Sequence, residues 1–298
     1  RRYDIITSMN KTEITHIGIL LLTSIIWGMA FVAQSVGSHL VGPFTFMAIR
    51  SWLGVLTLSP LLIHTLRKVG IHKDLIMGSI FCGIGLFLGS VLQQFGIAYT
   101  TTAKAGFITA LYMIFVPICS WFLHKPIHRQ IWISVLMSVL GLYLLCFHGS
   151  IAAFNQGDLL MLLAALGFTF QILAVNHFVT KCHPILLSGG QFLFCAIVST
   201  LMMTTETITL PAFKQALIPM LYTGIFSTGV AYTLQIIGQK GLNPTVSSLV
   251  MCLESVFSAL GGWLLLGQSL NIQELTGCSL MFLAIVFSQV SPRKKATD

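Results

Sequence analysis

Leu234–Leu265 reads LQIIGQKGLNPTVSSLVMCLESVFSALGGWLL, a run that after Lys240 is apolar and uncharged except for one acid, Glu254, at its middle. An earlier stretch, Leu92–Leu123 (LQQFGIAYTTTAKAGFITALYMIFVPICSWFL), aligns with it without a gap at an offset of 142 residues. Leu92, Gln93, Gly96, Leu111, Phe115, Trp121 and Leu123 recur as Leu234, Gln235, Gly238, Leu253, Phe257, Trp263 and Leu265. Two apolar-biased segments would share roughly half that many matches by chance, so the echo gains its weight from the rest of the chain. Upstream, Trp27 to Arg50, with Pro43 between them, parallels Phe168 to Gln191, with Pro184 between them, at an offset of 141.

The composition says where such segments live. Of 298 residues 55% are hydrophobic and only 8% charged, with a mean hydropathy of +0.89. A soluble protein carries about 25% charged residues. Apolar runs of about 20 residues, enough to cross a bilayer, recur along the whole length. Outer-membrane barrels alternate polar and apolar residues and do not fit. The reading is an all-α integral membrane protein of ten transmembrane helices, at about 14–36, 43–65, 74–97, 103–123, 130–148, 157–178, 184–205, 213–238, 243–266 and 272–290. Gly, Pro, Asn and charged residues punctuate the short connections, none of which could hold a soluble domain.

Five spans are followed by five of the same plan. Because five is odd, the second set enters from the opposite side, which makes two inverted five-helix repeats. The expected organisation is a leader over 1–13, a first repeat over 14–148, a second over 157–290 and a basic tail over 291–298. Arg1–Asn10 is polar, with no apolar core of the kind a cleavable signal carries.

The net charge of +8 invites a nucleic-acid partner, but the basic residues sit in short loops between spans. With the N-terminus in the cytoplasm, Arg1, Arg2, Lys11, Arg67, Lys68, Lys73, Lys125, Arg129, Lys181, Lys240, Arg293, Lys294 and Lys295 fall inside and only Lys104 and Lys214 outside. That asymmetry predicts both termini on the cytoplasmic side of a cell (bacterial inner or plasma) membrane and argues against nucleic acid. The seven cysteines are scattered singly, without metal-ligand spacing. No metal or cofactor is called for. Gly83, Gly85 and Gly89 mimic a dinucleotide fingerprint at the wrong spacing, with no strand before them; Gly85 and Gly89 read as a close helix contact. Walker, HExxH and Gly-x-Ser-x-Gly patterns are absent, which argues against a pump or hydrolase.

The chain resembles the drug/metabolite transporter superfamily, in its ten-span EamA type. The resemblance rests on Ile26-Trp27-Gly28 with Phe31, on Arg50, on Thr101-Thr102-Ala103 leading to Pro117, and on Gly141-Leu142-Tyr143-Leu144-Leu145. In the second half it rests on Asn243-Pro244-Thr245, Leu253-Glu254-Ser255-Val256-Phe257 and Trp263-Leu264-Leu265-Leu266-Gly267. The family usually has Pro after that glutamate and Glu after that glycine; here stand Ser255 and Gln268, and loss of the proline predicts a ninth span straighter than in relatives. The resemblance implies a transporter, not an enzyme, whose first, third, fourth, sixth, eighth and ninth spans line a cavity.

Within the spans, Glu254 is the strongest candidate for chemistry. A carboxylate at mid-bilayer costs about 2.5–3.5 kcal/mol on insertion scales, so it must face a cavity or a partner. It suits proton or cation binding, or else a structural hydrogen bond between helices. Its repeat mate is Tyr112, expected across the pseudo-symmetric centre. Arg50 could draw an anionic group, snorkel, or bond backbone carbonyls; the structural readings are favoured. Gln34, Gln93, Gln94, Gln171, Asn176, Gln191 and Gln235 read as a polar cavity lining or as interhelical bonds. Trp27, Phe31, Phe107, Tyr112 and Phe168 read as aromatic walls or as packing.

The expected substrate-binding set is Glu254, Tyr112, Gln93, Gln235, Gln171, Trp27 and Gln34, with Arg50 structural or anion-facing. The expected function is secondary transport of a small polar or zwitterionic metabolite, an amino acid, amine or relative, by alternating access. A passive channel and an integral-membrane lipid-modifying enzyme are the alternatives. Proton or ion coupling, export, and a monomer or a homodimer are all compatible with this sequence.

Overall fold

The structure, a computed structural model, describes residues 11–100, 102–123, 129–146, 155–266 and 271–289. Arg1–Asn10, the Thr101, Lys125 and Gln268 positions, and the basic tail lie outside the described residues. Every described element is helical: α1 (Lys11–Ser38), α2 (Pro43–Val69), α3 (Lys73–Gly96), α4 (Thr102–Thr109), α5 (Tyr112–Phe122), α6 (Arg129–Cys146) and α7 (Gln156–Phe178). After these come α8 (Pro184–Met203), α9 (Leu210–Tyr222), a π-helical segment (Thr223–Tyr232), α10 (Thr233–Gln239), α11 (Pro244–Met251), α12 (Glu254–Leu266) and α13 (Ile272–Gln289).

Eight segments are long and apolar enough to cross a membrane, among them Ala105–Phe122, Leu210–Gln239 and Pro244–Gly261, each of which joins shorter helices. Two apolar helices, Arg129–Leu144 and Leu275–Ser288, are shorter. These pack on each other as α6 against α13.

Local chemistry sets the ends. Pro43 and Pro184, which have no N–H to leave unbonded, open α2 and α8. Asn155 and Asp158 close a reciprocal capping box on α7. Gly70, at φ +76°, ends α2 in a conformation that L side chains rarely adopt. Successive spans run in opposite directions, so the bundle has a near end, where α1 begins, and a far end, where α1 finishes.

The packing follows the repeat. Under a two-fold relation α1 answers to α7, α2 to α8, α3 to the α9–α10 rod, α4–α5 to α11–α12, and α6 to α13. Helices that are mates touch each other in the pairs α2 with α8 and α6 with α13. Other contacts come in related couples: α3 with α7 and the α9–α10 rod with α1, or α3 with α8 and the π segment with α2.

The correspondence reaches single hydrogen bonds. The fourth span breaks after Ala110, where Leu111 N–H donates to Ile108 O at 3.2 Å and Met113 N–H to Ala110 O at 3.0 Å. In the ninth span Leu253 N–H donates to Val250 O and Ser255 N–H to Cys252 O, both at 3.2 Å, again 142 residues on. These i to i+3 bonds tighten the chain and interrupt the α-helical ladder. The ninth span is thus broken in spite of Ser255 standing where the family has proline. Its break needs no proline, and the Ser255 hydroxyl donates instead to Gly106 O at 3.2 Å on α4.

Small residues allow the closest approaches. A Cβ on Gly85 would lie 2.7 Å from the Gln171 backbone nitrogen, and one on Gly167 would lie 2.6 Å from that of Gly89. The expected close contact of Gly85 and Gly89 is the seam between α3 and α7. Gly141 likewise meets Gly277 O and Met281, and Gly261 meets Met29, so these glycines serve contacts within the chain.

Gly167→Val should separate α3 from α7 and cost about 1–3 kcal/mol, the range for overpacking. Gly18→Val, where an added Cβ meets nothing within 4 Å, should leave the melting temperature of the detergent-solubilised protein unchanged. Equal melting of the two variants would contradict the seam.

Candidate functional site

The interrupted spans converge on one internal cavity. Each break starts a new helix, and the first residues of those helices are Tyr112 on α5 and Glu254 on α12. Expected on opposite sides of the centre, the two in fact meet there: the Tyr112 hydroxyl donates to Glu254 Oε1 at 3.1 Å. They are 3% and 5% exposed. At the first residue of α12, the Glu254 carboxyl also sits where the helix carries partial positive charge.

Arg50 enters from α2 and is 3% exposed. Its Nε donates to Thr228 Oγ1 at 3.0 Å, Nη1 to Gln34 Oε1 at 3.0 Å and Nη2 to Ser227 Oγ at 3.2 Å. It neither snorkels nor bonds backbone carbonyls. Three side-chain oxygens from α1 and the π segment hold it, and it faces the cavity as well. The guanidinium has five N–H donors in a fixed fork, so two remain after these bonds.

The π segment explains how Ser227 and Thr228 reach Arg50. A ladder widened to i+5 shifts the register of side chains and loosens carbonyls from the helix. Both hydroxyls turn to Arg50, while the Ser227 carbonyl accepts from Trp27 Nε1 at 3.3 Å. The last residue of the segment, Tyr232, stacks obliquely on Trp27 with ring centroids 4.6 Å apart.

The opposite wall is built of amides. Gln235 Nε2 donates to Gln171 Oε1 at 2.9 Å, and Gln171 Nε2 donates back to Gln235 Oε1 and on to Gln191 Oε1, both at 3.2 Å. Gln93, the repeat mate of Gln235, donates to Thr109 Oγ1 at 3.3 Å.

All eight residues singled out in the sequence line this cavity: Trp27, Gln34, Arg50, Gln93, Tyr112, Gln171, Gln235 and Glu254. Phe31 and Phe168 join them; Phe107 does not. Gln191 stands behind the amide wall, Gln94 donates to Gln34 O and lines a separate far-end hollow, and Asn176 donates to Leu242 O at the near end. The six spans expected to line the cavity do so, with the second added through Arg50. Sequence reading missed Thr109, Ser227 and Tyr232.

The chain matches the EamA-like transporter family twice, over residues 15–147 and 155–289. It is 30% identical to an uncharacterized transporter of Archaeoglobus fulgidus over 268 residues, covering 90% of this chain and 83% of that one. It is 24% identical to the uncharacterized transporter YoaV of Bacillus subtilis over 278 residues, 89% and 93% of the two chains. A solved crystal structure superposes with a TM-score of 0.75 at 18% identity, over 92% of this chain and 96% of the other; that likeness concerns the fold.

Loss of Arg50 would strand three buried oxygens, at about 1–3 kcal/mol for an unsatisfied group. Arg50→Leu should therefore lower the melting temperature clearly. Glu254→Gln keeps an acceptor for the Tyr112 hydroxyl and should melt close to the parent protein. The reverse order would mean that Arg50 is not the clasp described.

Proposed function

The chain belongs to the EamA-like transporter family, and on that premise we propose that it is a secondary carrier of small zwitterionic organic metabolites working by alternating access. The observation that carries this reading is one cavity that holds an acid and a base without pairing them. Glu254 is bonded to Tyr112 and Arg50 to three neutral oxygens. An α-amino acid or similar solute would bring an ammonium to Glu254 and a carboxylate to the two remaining Arg50 donors. The amide wall suits the polar part of such a solute, and Trp27, Phe31, Phe168 and Tyr232 suit its organic body.

Alternating access requires helices to part around the cavity. An inverted repeat offers two related ways of parting, one toward each end. The excess of Lys and Arg at the near end supports cytoplasmic termini in a cell membrane, the bacterial inner or plasma membrane.

The test uses proteoliposomes and a panel of labelled amino acids and amines. Transport should show saturable counterflow, which a passive channel cannot give. Glu254→Gln should abolish transport or its pH dependence while the melting curve stays in place. An unaltered rate and pH profile would remove Glu254 from the mechanism. A true ligand at a hundred times its Kd should also stabilise the purified protein by about 2.7 kcal/mol.

A further inference from the structure

A second hollow lies away from the central cavity, at the near end where α1, α2, α8 and α10 meet the connection between α7 and α8. His16, Val69, Lys181, His183, Ile185 and Lys240 line it, with Val179 and Ile237 beneath. It combines two chemistries. Its walls are apolar, and Val69 on the bundle surface is 47% exposed. Its rim is basic, and no carboxylate belongs to the lining.

The two lysines are not used up by the fold. The Lys240 side chain is exposed and makes no bond among the described residues. Lys181 Nζ meets His177 Nε2 at 3.0 Å, which occupies one of its three donors. His16 does structural work, its Nδ1 held between Ile237 O at 2.9 Å and Gly238 O at 3.2 Å. The first turn of α8 opens into the same hollow without a side-chain cap, so its amides add to the positive rim. Cys182 offers no competing chemistry: burial pushes its thiol pKa up, Asp74 adds to that, and Lys181 opposes it.

We propose that this groove seats the phosphate-bearing headgroup of an anionic phospholipid, with Lys181 and Lys240 on the phosphate and an acyl chain along Val69 and Ile185. Its position decides between a lipid and a free anion of the same chemistry. The groove lies at the ends of membrane-spanning helices, at headgroup depth, and half its wall is hydrocarbon that a dissolved phosphate would not need. Basic pockets between spans hold anionic headgroups by this combination of charge and apolar wall. The assignment is independent of what the central cavity carries.

The test is native mass spectrometry of the full chain released from phosphatidylglycerol-containing membranes. The parent protein should retain phosphatidylglycerol. The double variant Lys181→Gln/Lys240→Gln should retain at least tenfold less, and Lys181→Arg/Lys240→Arg should restore it. Lys214→Gln, a lysine at the far end, should retain it as the parent does. Phosphatidylcholine should not replace it, and inorganic phosphate at matched concentration should not displace it. Undiminished retention in the glutamine double variant, equal retention of phosphatidylcholine, or displacement by inorganic phosphate would each overturn the assignment. Because both lysines are exposed, the variants should fold, and the arginine pair separates lost charge from lost structure.

Discussion

An interrupted helix inside a bilayer is tolerable only where protein, not lipid, surrounds the freed backbone. The rest of this structure follows from that constraint. The ninth span, which carries both a break and the acid, has 83% of its apolar window buried, against 39% in the first and second spans. It sits inside the bundle because it must. The fourth span carries the matching break and is more buried than those two, at 56%. Between the two breaks the Tyr112 hydroxyl reaches Glu254 and ties one repeat to the other at the centre.

The same scarcity of water governs the charges. Arg50 and Glu254 do not pair: three neutral oxygens hold the one and a phenol the other. An ion pair would have satisfied both and left little for a ligand to gain. Neutral partners keep each group hydrogen-bonded while leaving it without a counter-ion. Under the proposed function a zwitterionic solute would gain from both groups at once, while a singly charged one would gain from one only.

Much of this was legible in the sequence, and the part that was not has a physical reason. The offset between the halves marks Tyr112 and Glu254 as mates, and Gln93 and Gln235 likewise. Alignment says nothing of distance from the symmetry axis, however, and only mates near the axis touch. So Tyr112 meets Glu254, while Gln93 bonds Thr109 and Gln235 bonds Gln171. Ser227 and Thr228 escaped notice because a regular helical period places them by a ladder that the π segment abandons. Ser255 is a related case: a missing proline predicts less distortion, and the i to i+3 bonds that break the span without one leave no mark in the sequence.

The two halves are alike in backbone and unlike in chemistry, and this bears on how the cavity would open. Arg50 lies seven residues into α2 from the far end, and its mate Gln191 lies seven residues into α8 from the near end. On the far side the guanidinium clasps α1 and the π segment through three charge-assisted hydrogen bonds. On the near side Gln191 only accepts a hydrogen bond from Gln171. Charge-assisted bonds are roughly twice as strong as neutral ones. Under the proposed alternating access, parting the far side breaks the stronger set, and parting the near side disturbs neutral amides. Symmetry of fold therefore does not give symmetry of energy. On that reading, a carboxylate that drew two Arg50 donors toward itself would loosen the far-side clasp, so a bound solute would act on the contact that holds that side together.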